Sequence, residues 1–191
     1  LVHLVEEQID VAIRLGHLAD SALYAVKTGE FRLITCASPD YLARHGTPAH
    51  PSELSGHDGI LFGTREMFWT YRVDGAGMVA EPRTRLSVNT AATNRAAALG
   101  GMGIARLFDY QLTGEIRSGA LVPILSDYDS DPLPVHIVYP RQGLLPLKVR
   151  AFIDWATPRL RAACTSFNCG WRLSPDERLA LVFRRYCGFG R

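Results

Sequence analysis

The chain has 191 residues, of which 47% are hydrophobic and 21% charged, so it is long and apolar enough to bury one sizeable core or two small ones. Its 21 basic and 19 acidic side chains are spread along the whole length, which argues against direct nucleic-acid binding through a concentrated basic surface. No apolar run approaches the roughly 20 residues of a membrane span and no secretion signal opens the chain, which favours a cytoplasmic protein.

The first 37 residues show helical spacing that changes to alternation. This pattern predicts a helix that ends at Gln8, followed by a strand from 9 to 15. Two further strands are predicted at 22–27 and 31–37. Short connections that contain glycine are typical of hairpins, so residues 28–30, Thr-Gly-Glu, predict a hairpin between these two strands.

Turn and cap residues divide the next stretch. Ser38 and Pro39 predict the start of a short helix that Gly46 ends, and a surface connection with one turn at 51–54 follows. Strands separated by glycine-bearing turns are then predicted at 59–62, 69–73, 78–81 and 85–88.

Helices and strands alternate in the remainder of the chain. Asn89 or Thr90 predicts the cap of a helix over 91–99 that Gly100-Gly101 ends. The later elements are predicted as a strand at 103–107, a helix at 109–116, a strand at 121–125, a strand at 133–139 and a helix opened by Pro146. On this last helix the residues Leu147, Ala151, Phe152, Trp155 and Leu160 mostly face one way. The alternation predicts an α/β fold with largely parallel strands.

The residue patterns indicate no catalytic residues, no metal site and no cofactor. The four cysteines match no zinc spacing, and Cys36 is interpreted as a buried apolar residue of a strand. Asp127, Asp129 and Asp131 resemble the start of a calcium loop, but Pro132 stands where such a loop needs glycine, which favours a solvated acidic loop. Gly101-Met102-Gly103 lacks the third glycine of a dinucleotide fingerprint and lies before a strand rather than after one. The six histidines have no patterned nucleophile or acid partner.

A binding site is easier to support than a catalytic one. Open parallel sheets bind ligands beyond the carboxyl ends of their strands, where loops and helix N-termini offer donors. Three such ends supply the candidate effector contacts Arg14, Gly16, His17, Asn89, Thr90, Leu107 and Phe108, and Phe62 and Gly63 are further candidate contacts. For Asn89 and Thr90, a plain helix cap and a ligand contact are equally supported. Aromatic Phe62, Trp69 and Phe108 could line a pocket, and Arg14 or Arg106 could meet the carboxylate of a small organic acid.

Several segments, in order and spacing, resemble the effector-binding domain of LysR-type transcriptional regulators. One of them is Ala-Leu-Gly-Gly-Met-Gly-Ile-Ala at 98–105. The full set comprises residues 4–16, 36–48, 88–89, 98–105, 121–125, 138–140 and 148–154. Departures from the family pattern are Gln8 in place of a glycine and Phe108 in place of a frequent proline.

The resemblance implies a two-lobed fold like that of type 2 periplasmic binding proteins. Lobe I would hold residues 1–38 and 137–163, lobe II would hold 39–136, and 164–191 would form an atypical tail in which 175–186 has amphipathic spacing. It further implies that a small effector binds between the lobes and that the chain forms dimers or tetramers. DNA would be bound only through a helix-turn-helix domain that this chain lacks. Family members also carry a first strand and helix of lobe I that are absent here, so we expect poor stability or compensating association.

Two alternatives of other classes stay open at this point. An exported solute-binding protein could use the same lobes, and a secretion signal upstream would distinguish it from a regulator. A hydrolytic enzyme is disfavoured by the missing nucleophile constellation, and turnover of an ester panel would revive it.

Overall fold

A computed structural model describes residues 4, 9–18, 23–63, 69–140 and 145–168, with the backbone only at 163 and 165–168. The predicted helix before Gln8, apart from Leu4, and the amphipathic segment at 175–186 lie outside the described residues. The strands are β1 Ala12–Leu15, β2 Leu23–Phe31, β3 Leu33–Ala37, β4 Asp58–Phe62, β5 Trp69–Val73, β6 Ala76–Ala80, β7 Arg83–Val88, β8 Ile104–Phe108, β9 Val122–Pro123 and β10 Leu133–Pro140. The α-helices are α1 Pro39–His45, α2 Ala91–Leu99, α3 Thr113–Arg117 and α4 Leu147–Asn168.

Local capping signals place the short helices where they were predicted. The Ser38 hydroxyl accepts a hydrogen bond from the Tyr41 N–H, and the Gly46 N–H donates to the Leu42 carbonyl at the other end of α1. Thr90 caps α2 in the same way, and the predicted bounds of that helix are confirmed. The single predicted helix over 109–116 is instead a 3-10 turn, Asp109–Gln111, followed by α3.

The chain divides into two compact units. Of the described residues, unit 1 comprises those up to Phe31 and those from Pro132 to Asn168, and unit 2 comprises those of Arg32–Asp131. Both crossings lie earlier in the chain than the expected positions near Ala37-Ser38 and at 137–140. The shift arises because β3 pairs with β8 and β9 of unit 2, while β10 pairs along its whole length with strands of unit 1.

Unit 1 contains a three-stranded sheet in the order β1-β10-β2, with both pairs antiparallel. The expectation of mostly parallel strands is therefore wrong for this sheet. Sequence alternation reports the order of elements but not their direction, and here β10 runs between two strands that both oppose it. The helix α4 packs against β2 so closely that a Cβ placed on Gly29 would lie 2.3 Å from the Cβ of Cys164.

The predicted hairpin at residues 28–30 is wrong, because β2 runs without interruption through all three. Its register against β10 shifts where Val135 opposes Gly29 and His136 opposes Lys27, which leaves Thr28 as the extra residue of a bulge. The Thr28 hydroxyl donates to the Val135 carbonyl at 3.2 Å. The glycine serves close packing against α4 rather than a turn.

Unit 2 contains a mixed five-stranded sheet in the order β7-β4-β8-β3-β9 and a β5-β6 hairpin. The strands β7, β4 and β8 are parallel, and β3 is antiparallel to both of its neighbours. The core joins the sheet, the hairpin and α1 through Ala37, Tyr41, Leu54, Leu61, Trp69, Tyr71, Ala80, Ile104, Ile124 and Leu125. The strand predicted at 121–125 forms only at Val122–Pro123, because Pro123 has no N–H to donate and Leu125 takes a left-handed conformation.

Candidate functional site

Three parallel strands of unit 2 end at the same edge of its sheet. Phe62 at the end of β4 pairs with Val88 at the end of β7, and β8, parallel to β4, ends at Phe108. The helix α2 begins directly after β7. The structure therefore brings together the predicted contacts Phe62, Gly63, Asn89, Thr90 and Phe108 at the edge where open sheets place ligands.

The ends of β4 and β7 are fixed to each other by backbone and side-chain hydrogen bonds. The Gly63 N–H donates to the Val88 carbonyl at 2.6 Å, and the Ser87 hydroxyl donates to the Gly63 carbonyl at 3.0 Å. Phe62 is 37% exposed, so an aromatic face is available at the surface of this edge. Sequence reasoning missed Ser87, since a serine on the exposed face of a strand carries no pattern of its own.

The start of α2 contributes the polar part of the edge. The Thr90 hydroxyl oxygen accepts the Thr93 N–H at 3.2 Å, and both Asn89 and Thr90 are exposed. One turn further along, the fully buried Asn94 amide donates to the Ile60 carbonyl of β4 at 3.2 Å, which holds the helix against the sheet. Thr90 is therefore confirmed as a helix cap, whereas its contact with a ligand stays a prediction.

The end of β8 combines a half-buried aromatic residue with a buried acid. Phe108 stacks on Tyr110 with ring centroids 5.8 Å apart, whereas Leu107 is only 3% exposed and belongs to the interior. Asp109, which follows the strand, is fully buried and accepts hydrogen bonds from the N–H groups of Arg32 and Tyr110. Burial raises the pKa of the Asp109 carboxyl, and these N–H donors oppose the shift. Sequence reasoning missed Asp109, although a charged residue directly after a buried strand was an available signal.

Two other predicted pocket residues lie inside unit 2. Arg106 is 8% exposed, donates to the Thr70 carbonyl at 2.8 Å and to the Ser130 hydroxyl at 3.2 Å, and lies over the Tyr71 ring at 4.5 Å. Trp69 packs in the core. Burial raises the pKa of Tyr71 to about 12, so the ring that faces the Arg106 guanidinium is a neutral phenol. Arg106 is thus engaged by groups of the protein itself.

The remaining predicted contacts lie at the carboxyl end of β1 in unit 1. Arg14 is half-buried opposite His136, and the Gly16 N–H donates to the Pro134 carbonyl at 2.8 Å. His17 is exposed. These residues lie at the end of a strand, but that strand is antiparallel to its neighbour rather than parallel as predicted, and it belongs to the unit that does not contain the other candidates.

Metal-ligating side chains are not clustered in the described part of the chain. Among those residues no three His, Cys, Asp or Glu side chains are placed to hold a metal ion. Cys36 is buried in β3, as predicted, and burial raises the pKa of its thiol to about 12, which keeps it protonated. The acid Asp131 pairs with Arg72. None of the helices within the described ranges is long and apolar enough to cross a bilayer.

Comparison with known families identifies the fold. The family model of the LysR substrate binding domain matches residues 1–161. The chain belongs to the LysR substrate-binding domain family. This membership confirms the resemblance, the α/β fold of the type 2 binding-protein kind, and the interpretation as a non-enzymatic effector-binding regulatory domain of a LysR-type regulator.

The relatives of this LysR domain are transcriptional regulators. The HTH-type transcriptional regulator CrgA of Neisseria meningitidis serogroup C (strain 8013) is 34% identical over 161 residues, which cover 83% of this chain and 54% of the relative. The HTH-type transcriptional activator AaeR of Escherichia coli K12 is 33% identical over 81% of this chain and 50% of its own length. The solved regulatory domain of AphB in Vibrio vulnificus superposes with a TM-score of 0.71 at 33% identity, covering 80% of this chain and 76% of that domain. The chain spans about half the length of the curated relatives it matches.

Proposed function

We propose that this domain senses a small organic molecule and passes the signal to a helix-turn-helix domain of the same regulator, which changes DNA binding and transcription. The observation that carries the proposal is the convergence of β4, β7 and β8 at one edge, with α2 starting there. Open sheets bind ligands at such an edge because backbone donors and loop side chains converge there.

Each proposed contact has a chemical role. Phe62 and Phe108 offer aromatic faces to the apolar part of the effector, and Asn89 and Thr90 offer polar groups at the start of α2. Gly63 and Leu107 contribute through their backbone, since Leu107 has a buried side chain. The proposal also assigns contacts to Arg14, Gly16 and His17 at the end of β1.

A small organic acid is the ligand class that we propose. The first turn of a helix carries N–H groups and the positive end of the dipole, which stabilise an anion by about 0.3–1 kcal/mol at an exposed site. Arg106 is left out of the proposed contacts, since it already donates to Thr70 and Ser130. Assembly into a dimer or tetramer and a cytoplasmic location complete the proposal, as membership of the LysR family implies.

A ligand screen followed by calorimetry tests the assignment. We expect small carboxylates to raise the melting temperature of the chain, and Thr90→Val to weaken binding of the best of them about tenfold, as for one lost hydrogen bond to a charged group. The matched control is Thr84→Val, which makes the same change at an exposed position of β7 away from this edge. Shifts from neutral compounds with none from any carboxylate would refute the ligand class, and equal losses in both variants would refute the site.

A further inference from the structure

The sheet of unit 2 divides between β4 and β8 toward its carboxyl edge. Among the described residues, these two strands pair only at Gly59 and Ile60 of β4. Beyond that point β4 runs on beside β7, and β8 runs on beside β3, to the ends of both strands. The opening between residues 60–62 of β4 and 105–108 of β8 is the β4–β8 fork.

A backbone donor at the end of β8 faces the β4–β8 fork. Residue pairs of an antiparallel ladder alternate between hydrogen-bonded and non-hydrogen-bonded ones. The Asp109 N–H donates to the Arg32 carbonyl at 2.9 Å, so the preceding pair is of the second kind and the Phe108 N–H points away from β3. This N–H donates to the Gln111 Oε1 at 3.1 Å. The donor is thus held by a side-chain amide of the turn that follows the strand.

The backbone of Gln111 is fixed independently of its side chain. The Gln111 carbonyl accepts from the Arg95 Nη1 of α2 at 3.1 Å, and the Arg95 Nε lies 3.4 Å from the Glu115 Oε1. The Gln111 Nε2 donates to the Tyr110 hydroxyl at 3.2 Å. The amide therefore makes two neutral hydrogen bonds to nearby groups of the chain. Rotation of the half-buried side chain releases both while Arg95 still holds the backbone.

A ligand carboxylate and the Gln111 amide compete for one donor, the Phe108 N–H. Hydrogen bonds to an ionised oxygen are roughly twice as strong as those to a neutral one, so a carboxylate can displace the amide oxygen. We propose that Gln111 is a built-in competitor of the effector: its amide oxygen must leave the Phe108 N–H before a ligand carboxylate takes that donor, which lowers the affinity. The ligand class in this inference rests on the proposed function, in which Phe108 is an assigned contact.

The contact between Gln111 and Phe108 also caps the 3-10 turn Asp109–Gln111, and a cap alone has a different consequence. Loss of a cap loosens the end of β8, which weakens ligand binding there or leaves it unchanged. Loss of a competitor strengthens binding, because the ligand no longer has to break a hydrogen bond of the protein. The sign of the change in affinity therefore distinguishes the two roles.

Nuclear magnetic resonance of the full chain measures this sign at the donor itself. Isotopes in the carbonyl carbon of leucine and the amide nitrogen of phenylalanine select Leu-Phe peptide bonds, which the sequence has only at Phe62 and Phe108. The variant Phe62→Tyr removes one of the two signals and so assigns both. Formate is the probe because it is the smallest carboxylate, and sodium chloride keeps the ionic strength constant. The half-saturating formate concentration is read from the shift of the Phe108 amide proton.

Two substitutions of Gln111 should change formate binding in opposite directions. Gln111→Met keeps the length of the side chain without a strong acceptor and should bind formate about fivefold more tightly, as for one neutral hydrogen bond that no longer has to be broken. Gln111→Glu places a charged acceptor on the same donor and should bind formate at least about fivefold more weakly.

The matched control lies in the other long 3-10 segment of unit 2. The Ala49 N–H donates to the Glu53 Oε2 at 2.9 Å, a contact of the same kind in the turn Pro51–Gly56 that precedes β4. Glu53→Met removes this contact at the amino end of β4, away from the fork, and should leave formate binding unchanged.

Weaker or unchanged formate binding in a folded Gln111→Met variant would overturn the proposal, and so would the lack of any formate-induced shift of its Phe108 signal. Should this variant fail to unfold cooperatively, Tyr110→Phe removes the hydroxyl that holds the Gln111 Nε2. It should tighten formate binding about twofold, since one of the two hydrogen bonds of the amide is lost. Unchanged binding in Tyr110→Phe would then overturn the competition.

Failure of the competition can be told apart from failure of the proposed function. If carboxylates raise the melting temperature while Gln111→Met binds formate like the wild type, the sensing of organic acids stands and the competition is overturned. If no carboxylate raises the melting temperature and formate still binds more tightly at Phe108 in Gln111→Met, the competition stands and the proposed ligand class fails.

Discussion

Single residues in unit 2 are placed by hydrogen bonds that reach far along the sequence. Asp109 contacts a residue 77 positions away, Asn94 one 34 positions away and Thr35 one 36 positions away. Each is buried, and each has a partner group inside the fold, which is the usual condition for burying a polar side chain. Such residues fix where strands and helices meet, so their substitution is expected to act on geometry as well as on stability.

The titration of Asp109 gives a pH prediction. Its pKa in the folded chain is raised above the ordinary value of about 3.9, so between these two pKa values the folded chain binds this proton more tightly than the unfolded chain does. The contribution of Asp109 to stability therefore falls as the pH rises through that window. Urea unfolding should show the wild type gaining stability relative to Asp109→Asn on acidification from pH 7 to pH 4. Asp127→Asn is the reference variant, measured against the wild type in the same way. If the difference in unfolding free energy between wild type and variant changed equally with pH for Asp109→Asn and Asp127→Asn, the prediction would be contradicted.

The packing of Gly29 against Cys164 gives a steric prediction. A methyl group at Gly29 would lie 2.3 Å from the Cβ and 2.6 Å from the Sγ of Cys164, so α4 would have to move off β2. Overpacking of this kind costs about 1–3 kcal/mol, and Gly29→Ala should lower the free energy of unfolding by that amount in urea titrations. Gly114→Ala, where nothing lies within 4 Å, is the control and should have no destabilising effect. Equal stability of the two variants would show that α4 does not pack as described.

Elements that depend on local signals were predicted from the sequence, and those that depend on distant partners were not. The starts of α1 and α2 could be predicted from the caps Ser38 and Thr90, because each cap depends only on a hydrogen bond from the backbone N–H three residues later to the cap side chain. The continuous strand β2 was instead predicted as a hairpin. A glycine in a turn and a glycine that lets a helix pack closely, as Gly29 does for α4, cannot be distinguished from the local sequence. The antiparallel direction of β10 relative to its two neighbours also could not be predicted from the residue pattern.

The β5-β6 hairpin gives a prediction at the scale of one element. Asp74 and Gly75, the two residues of its turn, both have positive φ, as the favoured two-residue turn requires. Gly75→Ala places a side chain in the left-handed region and should cost about 1–2 kcal/mol, seen as faster amide exchange across the hairpin. Gly77→Ala is the matched control in β6, where an added Cβ would meet only the Thr70 methyl at 4.0 Å. Faster exchange in both variants would show that the turn conformation is not the cause.

The residues of the candidate site could be predicted from the sequence only where they lie at the ends of predicted strands. Phe62, Asn89 and Phe108 were placed at one edge because each follows or closes a predicted strand of a parallel set. Arg106 was interpreted as a carboxylate ligand, but its guanidinium is held by Thr70 and Ser130. Those contacts depend on how the hairpin and the loop before Pro132 fold over β8, and no periodicity encodes them.

At the scale of the whole molecule, unit 1 carries apolar surface that its described residues do not cover. On α4 the residues Val149 and Ala156 are buried, while Phe152 and Trp155, on an adjoining face, are exposed. Trp155, one of the residues predicted to share a face of this helix, is 57% exposed. The strand β1 of the same unit also has exposed Ile13 and Leu15. Surfaces of this composition are typical of interaction sites.

We therefore expect the chain to associate with itself through this surface of unit 1. Burying one large apolar side chain contributes about 1.5–3 kcal/mol, so Trp155→Lys should shift sedimentation equilibrium toward the monomer by at least tenfold in dissociation constant. Val79→Lys in unit 2 changes a side chain of the same exposure, 57%, and should leave the equilibrium unchanged. A wild-type chain that stays monomeric at all concentrations and unfolds in one cooperative transition would contradict this expectation.

The central position of β10 sets an order of events during synthesis. The strands β1 and β2 leave the ribosome before unit 2 is made, and the strand that must lie between them is made after all of it. The sheet of unit 2 lies within the continuous segment Arg32–Asp131, so it can close as soon as that segment has emerged. β1 and β2 therefore wait for β10 while the next hundred residues or so are produced, and strand edges left unpaired in that interval are prone to aggregate.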